Sequence, residues 1–354
     1  MKTGLKLFSR VLVCATMGLI LAVAVGVPAS AGAATAVCVS ALAGNFMPKG
    51  AACAGVLTEI WTGELIKTLN AGDEATFLDG IPDYSQYAEN DVIHMVDVGG
   101  NPDVLINNTT YPIAVQEISD VDAVFSLDKF QTKPTPVTDD ELYALSYDKM
   151  SSLKDRHADA IKISKYEKAI HALAPDKTGA KTPVLKTTGE IVGGGETGRR
   201  RLQLSDIIAL KDAFDKAQIP LQGRRLVLCS DHANDLLLTD QKFKDQYHNY
   251  TTGKISNLYS FEVFEYCANP VYKADGTKVK FGTAAGANEF QASVAFYTKR
   301  VFKASGSTTM YYSEAKTDPL NQRSLVNFRH YFIVLPKRKD AMAAIMSDYV
   351  ATKA

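Results

Sequence analysis

Ser230-Asp231-His232 sets a hydroxyl, a carboxylate and an imidazole side by side, the three groups a nucleophilic hydrolase uses. A working triad converges from distant positions, and the Gly-x-Ser-x-Gly nucleophile turn occurs nowhere in the chain. Ser230 or Asp231 therefore reads as a helix cap, with His232 in the first turn. Gly193-Gly194-Gly195-Glu196-Thr197-Gly198 has the glycine density of a phosphate-cradling loop, but Arg199-Arg200 stand where Lys and Ser or Thr would reach the phosphates and Mg²⁺. A mobile surface loop fits better, its basic end, Arg199 to Arg201, open to an acidic neighbour or a nucleic acid. The six histidines (94, 157, 171, 232, 248 and 330) form no His-x₃-His or His-Glu-x-x-His pair, which disfavours zinc. Asp139-Asp140-Glu141 reads as solvated first-turn acids rather than a cation site. Asn107, Asn108 and Asn249 open Asn-x-Thr triplets, a pattern that chance often supplies. The expectation is a protein that is not an enzyme, with no catalytic, cofactor-binding or metal-binding residues and no cofactor.

Composition agrees with a folded chain that works through surfaces. Of 354 residues, 46% are hydrophobic, enough for a real core, and 39 basic residues balance 39 acidic ones. That balance argues against a sequence-independent nucleic-acid binder. Five cysteines without metal spacing argue against a disulfide framework. Cys229 and Cys267 sit in apolar strand contexts and read as buried free thiols.

The amino terminus has a separate character. Lys2, Lys6 and Arg10 precede an apolar run from Val11 to Val27, and Ala29-Ser30-Ala31 is a small-x-small cleavage pattern. Residues 1–46 read as a signal-like segment or as sequence upstream of a true start at Met47-Pro48-Lys49-Gly50. Either way they are expected to add nothing to the fold.

Further on, Val56, Leu57, Ile60, Trp61, Leu65, Ile66 and Leu69 recur at helical spacing. Residues 92–131 read as β-rich: strands at Val92–Val98, Ile113–Ile118 and Ala123–Asp128, with a turn at Asn107-Asn108. Such an excursion has no core of its own and needs a neighbour. Glu141 to Leu173 contains neither Gly nor Pro and predicts one long helix, with Leu153, Ala160 and Ile161 on its apolar side and Lys154, Asp155, Arg156 and Asp159 on its wet side. Residues 175–203 read as loop. Glu289 to Ala304 carries Phe290, Val294, Phe296, Tyr297, Val301 and Phe302, and Ala341 to Val350 reads as a short helix. Met310–Ser313 and Asn327–Leu335 read as paired strands, with Lys316 to Arg323 between them.

Leu204 to Tyr266 reads as helix, strand, polar turn, helix, strand. Leu204-Ser205-Asp206 opens the first helix, which Pro220 and Gly223 stop. Arg224-Arg225-Leu226-Val227-Leu228-Cys229 is the strand, Ser230 to Leu237 the second helix, and Gly253 to Tyr266 a single alternating strand. This order resembles the axial domain of tailed-phage major capsid proteins of the HK97 fold. Asp103 to Pro112, Gly223 to Leu237, Lys254 to Tyr266 and the closing Val326 to Pro336 carry the resemblance, which covers roughly residues 58–345. It is nearest to coats of phages of gut Bacteroides-type bacteria.

The resemblance implies an α+β fold with a signal-like or mis-started segment at 1–46, an N-terminal arm at 47–91 and an extended β loop at 92–137. A peripheral domain with a spine helix follows at 138–203 and an axial domain with a central sheet at 204–288. A closing helix and strands of the peripheral domain occupy 289–354. It further implies self-assembly into pentamers and hexamers of an icosahedral shell around a DNA genome. The implied partners are the chain itself, scaffolding and portal proteins, and packaged DNA by non-specific contact; no membrane is involved. The implied location is the virion capsid, assembled in the host cytoplasm. The signal-like start conflicts with that location and supports the rival reading of a secreted or cell-surface binding protein.

Overall fold

The computed structural model describes Thr62, Leu65, Leu69 and residues 75–351, apart from 90–91, 98–103, 110, 114, 117–120, 139–148, 248–253 and 319. The chain separates into Met1–Trp61 and Thr62–Ala354. The first unit lies outside the described residues, and with it the signal-like segment and most of the arm. Thr62, Leu65 and Leu69 are helical, and Leu65 and Leu69 are buried, in keeping with the apolar spacing there.

The strands run in chain order as β1 (Ala88–Glu89), β2 (Val92–Asp97), β3 (Val121–Ser126), β4 (Asp128–Gln131), β5 (Thr135–Thr138), β6 (Val184–Lys186), β7 (Gly198–Arg199) and β8 (Arg224–Leu228). They continue as β9 (Lys254–Leu258), β10 (Phe261–Glu265), β11 (Val271–Tyr272), β12 (Phe290–Gln291), β13 (Ser293–Tyr297), β14 (Val301–Ser313), β15 (Arg323–Pro336), β16 (Met342–Met346) and β17 (Tyr349–Val350). The described helices are α1 (Lys149–Leu173), α2 (Leu204–Lys216), α3 (Ser230–Thr239) and α4 (Gln241–Tyr247).

Two sheets organise this unit. A six-stranded mixed sheet has the order β6-β16-β13-β8-β10-β9. Its central strands are apolar on both faces because helices and loops cover both. Val227, Val294, Phe296, Met342, Ala344 and Met346 turn towards Tyr166, Ala169, Ile170 and Leu173 of α1, together with Phe77 and Leu78. The alternate residues Leu226, Leu228, Ala295, Ala343 and Ile345 turn towards Ile207, Leu210 and Phe214 of α2, Ala233 and Leu236 of α3, and Phe243 of α4. This period-two partition is what the pleat imposes on a sheet buried from both sides.

The second sheet is built on the long antiparallel pair β14 and β15, with β4 and β5 both pairing β15. Ser324, Val326, Phe328, His330 and Phe332 alternate to the buried face of β15. There α1 lies across them, with the His157 and Phe328 rings 5.5 Å apart and Lys165 5.1 Å from the Phe332 ring. The two sheets share continuous chain: Thr298–Arg300 joins β13 to β14, and residues 337–341 join β15 to β16. The Lys337 N–H donates to the Arg300 carbonyl over 2.8 Å, and Arg300 pairs with Asp340 at 2.8 Å, tying the two links together.

Several sequence expectations are corrected. The closing helix expected within 289–354 does not form among the described residues, and Glu289 to Ala304 is strand, as β12, β13 and the start of β14. A short apolar run buried on both faces carries no periodicity that separates strand from helix. Ala341 to Val350 holds β16 and β17 instead of a helix; Ala343 and Ala344 have high helix propensity, but pairing with β13 and β6 overrides it. The single strand expected over Gly253 to Tyr266 is a hairpin, turning at Tyr259 (φ 44°) and Ser260 (φ 73°). Positive φ at two residues suits a primed turn, yet neither is Gly, Asn or Asp, so the usual letters are missing. Val184–Lys186 and Gly198–Arg199 are strands within the expected loop. Described residues Ile113, Val115 and Gln116 lie outside any strand, and the second strand of the excursion runs Val121–Ser126.

The long helix is seen from Lys149 to Leu173, 25 residues or about 38 Å at 1.5 Å per residue. Its expected start and the Asp139-Asp140-Glu141 cap lie outside the described residues. On α1, Lys154 is buried although expected on the wet side, and Ala160 is exposed although expected on the apolar one. The lysine stem packs as an apolar chain, so the buried stripe follows contact with β15 rather than hydropathy alone.

Candidate functional site

Ser230-Asp231-His232 forms the first turn of α3, whose N-cap is Cys229 rather than Ser230 or Asp231. His232 is fully buried, with Nδ1 2.7 Å from Ser293 Oγ and Nε2 2.9 Å from Ser347 Oγ. Burial, then the nearby Arg199, pushes its pKa down to about 3, so the ring is neutral and joins β13 to the residue that follows β16. Both ring nitrogens are engaged by serine hydroxyls, so the three neighbouring letters are not a triad. Cys229 is buried as expected, its thiol pushed up to about 12 chiefly by burial, whereas Cys267 is exposed and corrects the expectation of a second buried thiol.

The glycine-rich loop is held from its base. Ile191 bridges Arg200, and Gly193 and Gly194 take positive φ at an exposed tip. Arg199 does not face a phosphate: it makes a two-pronged pair with Asp235 of α3 at 2.7 and 2.9 Å, mostly out of solvent. Asp235 also accepts the Leu202 N–H at 3.0 Å. Asp235→Ala should therefore strand a largely buried guanidinium and an amide, and cost roughly 3 kcal/mol. Urea unfolding measures this, and a loss below about 1 kcal/mol would show that the pair is replaceable.

No group of three His, Cys, Asp or Glu able to hold a metal occurs among the described residues. His157 and His330 lie in the interface between α1 and β15; the Nε2 of each is buried without a hydrogen-bond partner, and burial lowers both pKa values, His330 to about 4. Lys165, in the same interface, donates to the Leu69 carbonyl at 2.7 Å, and burial followed by repulsion from Lys162 and Lys303 brings it down to about 8.

The surfaces are more informative than these interior groups. β2 and β3 pair over six residues, from Val92 opposite Ser126 to Asp97 opposite Val121. The base of this ribbon rests on the molecule, with Ile93, Leu127, Phe302, Ala304 and Ile333 in one cluster. Beyond it the described residues meet no core. Val104, Ile106 and Val115 are 83%, 83% and 92% exposed, and Leu105, Tyr111 and Ile113 are more than half exposed. So many large apolar side chains on one excursion are the mark of a surface awaiting a partner.

A second surface lies beside α1. β4 is the outermost strand of its sheet, and between it and the helix runs a groove of about 540 Å³. Lys129, Gln131, Thr132, Lys133 and Thr135 form one wall; His157, Ala160, Ile161 and Ser164 form the other. This groove joins residues far apart in the chain, and no local sequence signal marks it.

No family model and no curated protein matches the chain. Solved structures do. A subunit of the mature capsid of bacteriophage PhiM1 matches with TM-score 0.53 at 10% identity, covering 76% of this chain and 86% of that one. The capsid of cyanophage P-SCSP1u matches with TM-score 0.52 at 14% identity, covering 76% and 87%. The head of Helicobacter pylori bacteriophage KHP40 matches with TM-score 0.51 at 11% identity, covering 79% and 91%. These neighbours do not support the narrower likeness to coats of Bacteroides phages. No described helix is long and apolar enough to cross a membrane. The chain shares its fold with phage capsid subunits.

Proposed function

We propose that this chain is a major capsid protein of the HK97 type, which assembles into the pentamers and hexamers of an icosahedral shell around a DNA genome. The observation that carries the reading is the ribbon on β2 and β3, whose apolar residues Val104, Leu105, Ile106, Tyr111, Ile113 and Val115 lie in solvent on one excursion. A neighbouring copy supplies what that surface lacks. In this reading 92–137 is the extended loop, α1 is the spine helix of the peripheral domain, and the six-stranded sheet is the centre of the axial domain. That sheet draws β6, β13 and β16 from outside residues 204–288, so in this reading the axial domain adds those three strands to the 204–288 stretch. Scaffolding and portal proteins and packaged DNA are the further partners, the mature location is the virion, and assembly takes place in the host cytoplasm.

Expression followed by electron microscopy and density-gradient sedimentation, with and without a co-expressed scaffold, tests the reading. Closed shells of uniform size are expected. A chain that stays monomeric at high concentration under both conditions would overturn it, and export with cleavage after Ala31 would favour a secreted binding protein.

A further inference from the structure

We propose that the cavity between the C-terminal half of α1 and the segments 268–271 and 279–283 is a site for one divalent transition-metal ion, held by Glu167, His171 and Asn269. The inference goes beyond the shell reading and does not depend on it. Size narrows the occupant first. The cavity has a volume of about 60 Å³, room for an ion with one or two waters and far too little for an organic ligand. Glu167, His171 and Asn269 line it together with the apolar Pro270, Val279 and Phe281.

Each of the three polar side chains brings an unused lone pair. His171 Nε2 lies 2.8 Å from the Val279 carbonyl, which can only accept, so Nε2 carries the proton and the neutral ring keeps its lone pair on Nδ1. Metal-bound imidazoles are oriented in this way, with the other nitrogen donating to a backbone carbonyl. Asn269 is 5% exposed and donates its Nδ2 to the Tyr266 carbonyl at 3.1 Å, which leaves Oδ1 as a buried acceptor without a partner. Glu167 stands one helical turn before His171 on the same face of α1, and its carboxylate has no ion pair among the described residues. A carboxylate, an imidazole nitrogen and an amide oxygen around one small cavity disfavour an anion and suit a borderline cation such as Zn²⁺. Of the nearby cations, Lys168 is paired with Asp128 at 2.6 Å and Lys278 with Asp176 at 2.9 Å. Lys280 also lines the cavity but is exposed and can turn outward on its flexible stem. The third ligand is an amide, so the set contains only two of the residue types that usually mark a metal site.

The test is calorimetric titration of the full-length chain with ZnCl₂, after EDTA treatment and alkylation of accessible thiols. Alkylation removes the competing ligands at exposed Cys267 and at Cys14, Cys38 and Cys53. One equivalent should bind per subunit, and saturating Zn²⁺ should raise the melting temperature by about 5 °C. Glu167→Gln alters an exposed side chain, so it should leave the metal-free melt unchanged. It should weaken Zn²⁺ binding at least about tenfold, since the loss of a supporting hydrogen bond alone costs that much. His171→Gln should weaken binding equally and change the visible spectrum of Co²⁺ bound in place of Zn²⁺. If neither substitution alters binding, the zinc is an adventitious ion only and the proposal fails. If the wild-type chain takes up no Zn²⁺, the cavity holds water and the proposal fails as well. Shell formation does not enter either readout, so failure here leaves the shell reading standing.

Discussion

A chain in which residues 98–120 are replaced by Asn-Gly should fold and yet build no shell. Asp97 and Val121 are paired across β2 and β3, so a two-residue primed turn closes the ribbon without disturbing its ladder. The cluster of Ile93, Leu127, Phe302, Ala304 and Ile333 beneath it is untouched. The described residues removed are almost all exposed, so melting should shift by no more than a few degrees. The loss falls on association instead. Burying a side chain the size of Val or Ile is worth about 1.5–3 kcal/mol, so an excursion with six large apolar residues forfeits most of a contact at every neighbour. Sedimentation of the variant should show small species where the proposed shell reading expects particles from wild type. Unfolding of the subunit would place the excursion in its own core; particles of normal yield would remove the excursion from assembly.

Mild acid should loosen the subunit well before its carboxylates titrate. His232 and His330 have native pKa values of about 3 and about 4, against about 6.5 in the unfolded chain, both lowered first by burial. The unfolded state therefore binds more protons than the native state below pH 6.5, and stability present in full above that value falls as pH drops towards 4. At 2.3RT per pH unit and per group, each of the two contributes a loss of roughly 3 kcal/mol by pH 4. His157 and His171 shift in the same direction through burial and steepen the slope. Urea midpoints measured from pH 7.5 to 4.5 read the effect directly. His330→Asn keeps an acceptor near the place of Nδ1, which bonds the Thr308 hydroxyl at 2.9 Å, and should remove about one proton from the slope. A flat profile between pH 7 and 4.5 would mean that these imidazoles are hydrated in the native state.

The sequence made much of this architecture legible, and the parts it hid have physical causes. The long helix declared itself by the absence of Gly and Pro, and the β14–β15 pair by its aromatic and β-branched alternation. The strand from Arg224 and the helix from Ser230 were readable because Gly223 and the polar turn punctuate them. β16 was misread because Ala and Met specify little by themselves, and the strand exists only through its neighbours. The hairpin at Tyr259-Ser260 was missed because neither residue is one that normally marks such a turn. Of the candidate surfaces, the excursion could be seen in advance, since too few residues surround it to form a core. The groove could not, because the fold alone brings Lys129 and Lys133 beside His157 and Ser164.

The double link between the two sheets has a mechanical consequence. β13 and β16 are neighbours in one sheet, β14 and β15 in the other, and two strands of chain cross side by side at residues 298–300 and 337–341. The sheets also share one core, in which Val294 and Phe296 of the first and Phe332 and Val334 of the second lie with Tyr166 and Ile170 of α1, so the links join two halves of one packed body. The Arg300–Asp340 pair ties one link to the other. A load on one sheet is thereby passed to the other through packed side chains as well as through the two short links.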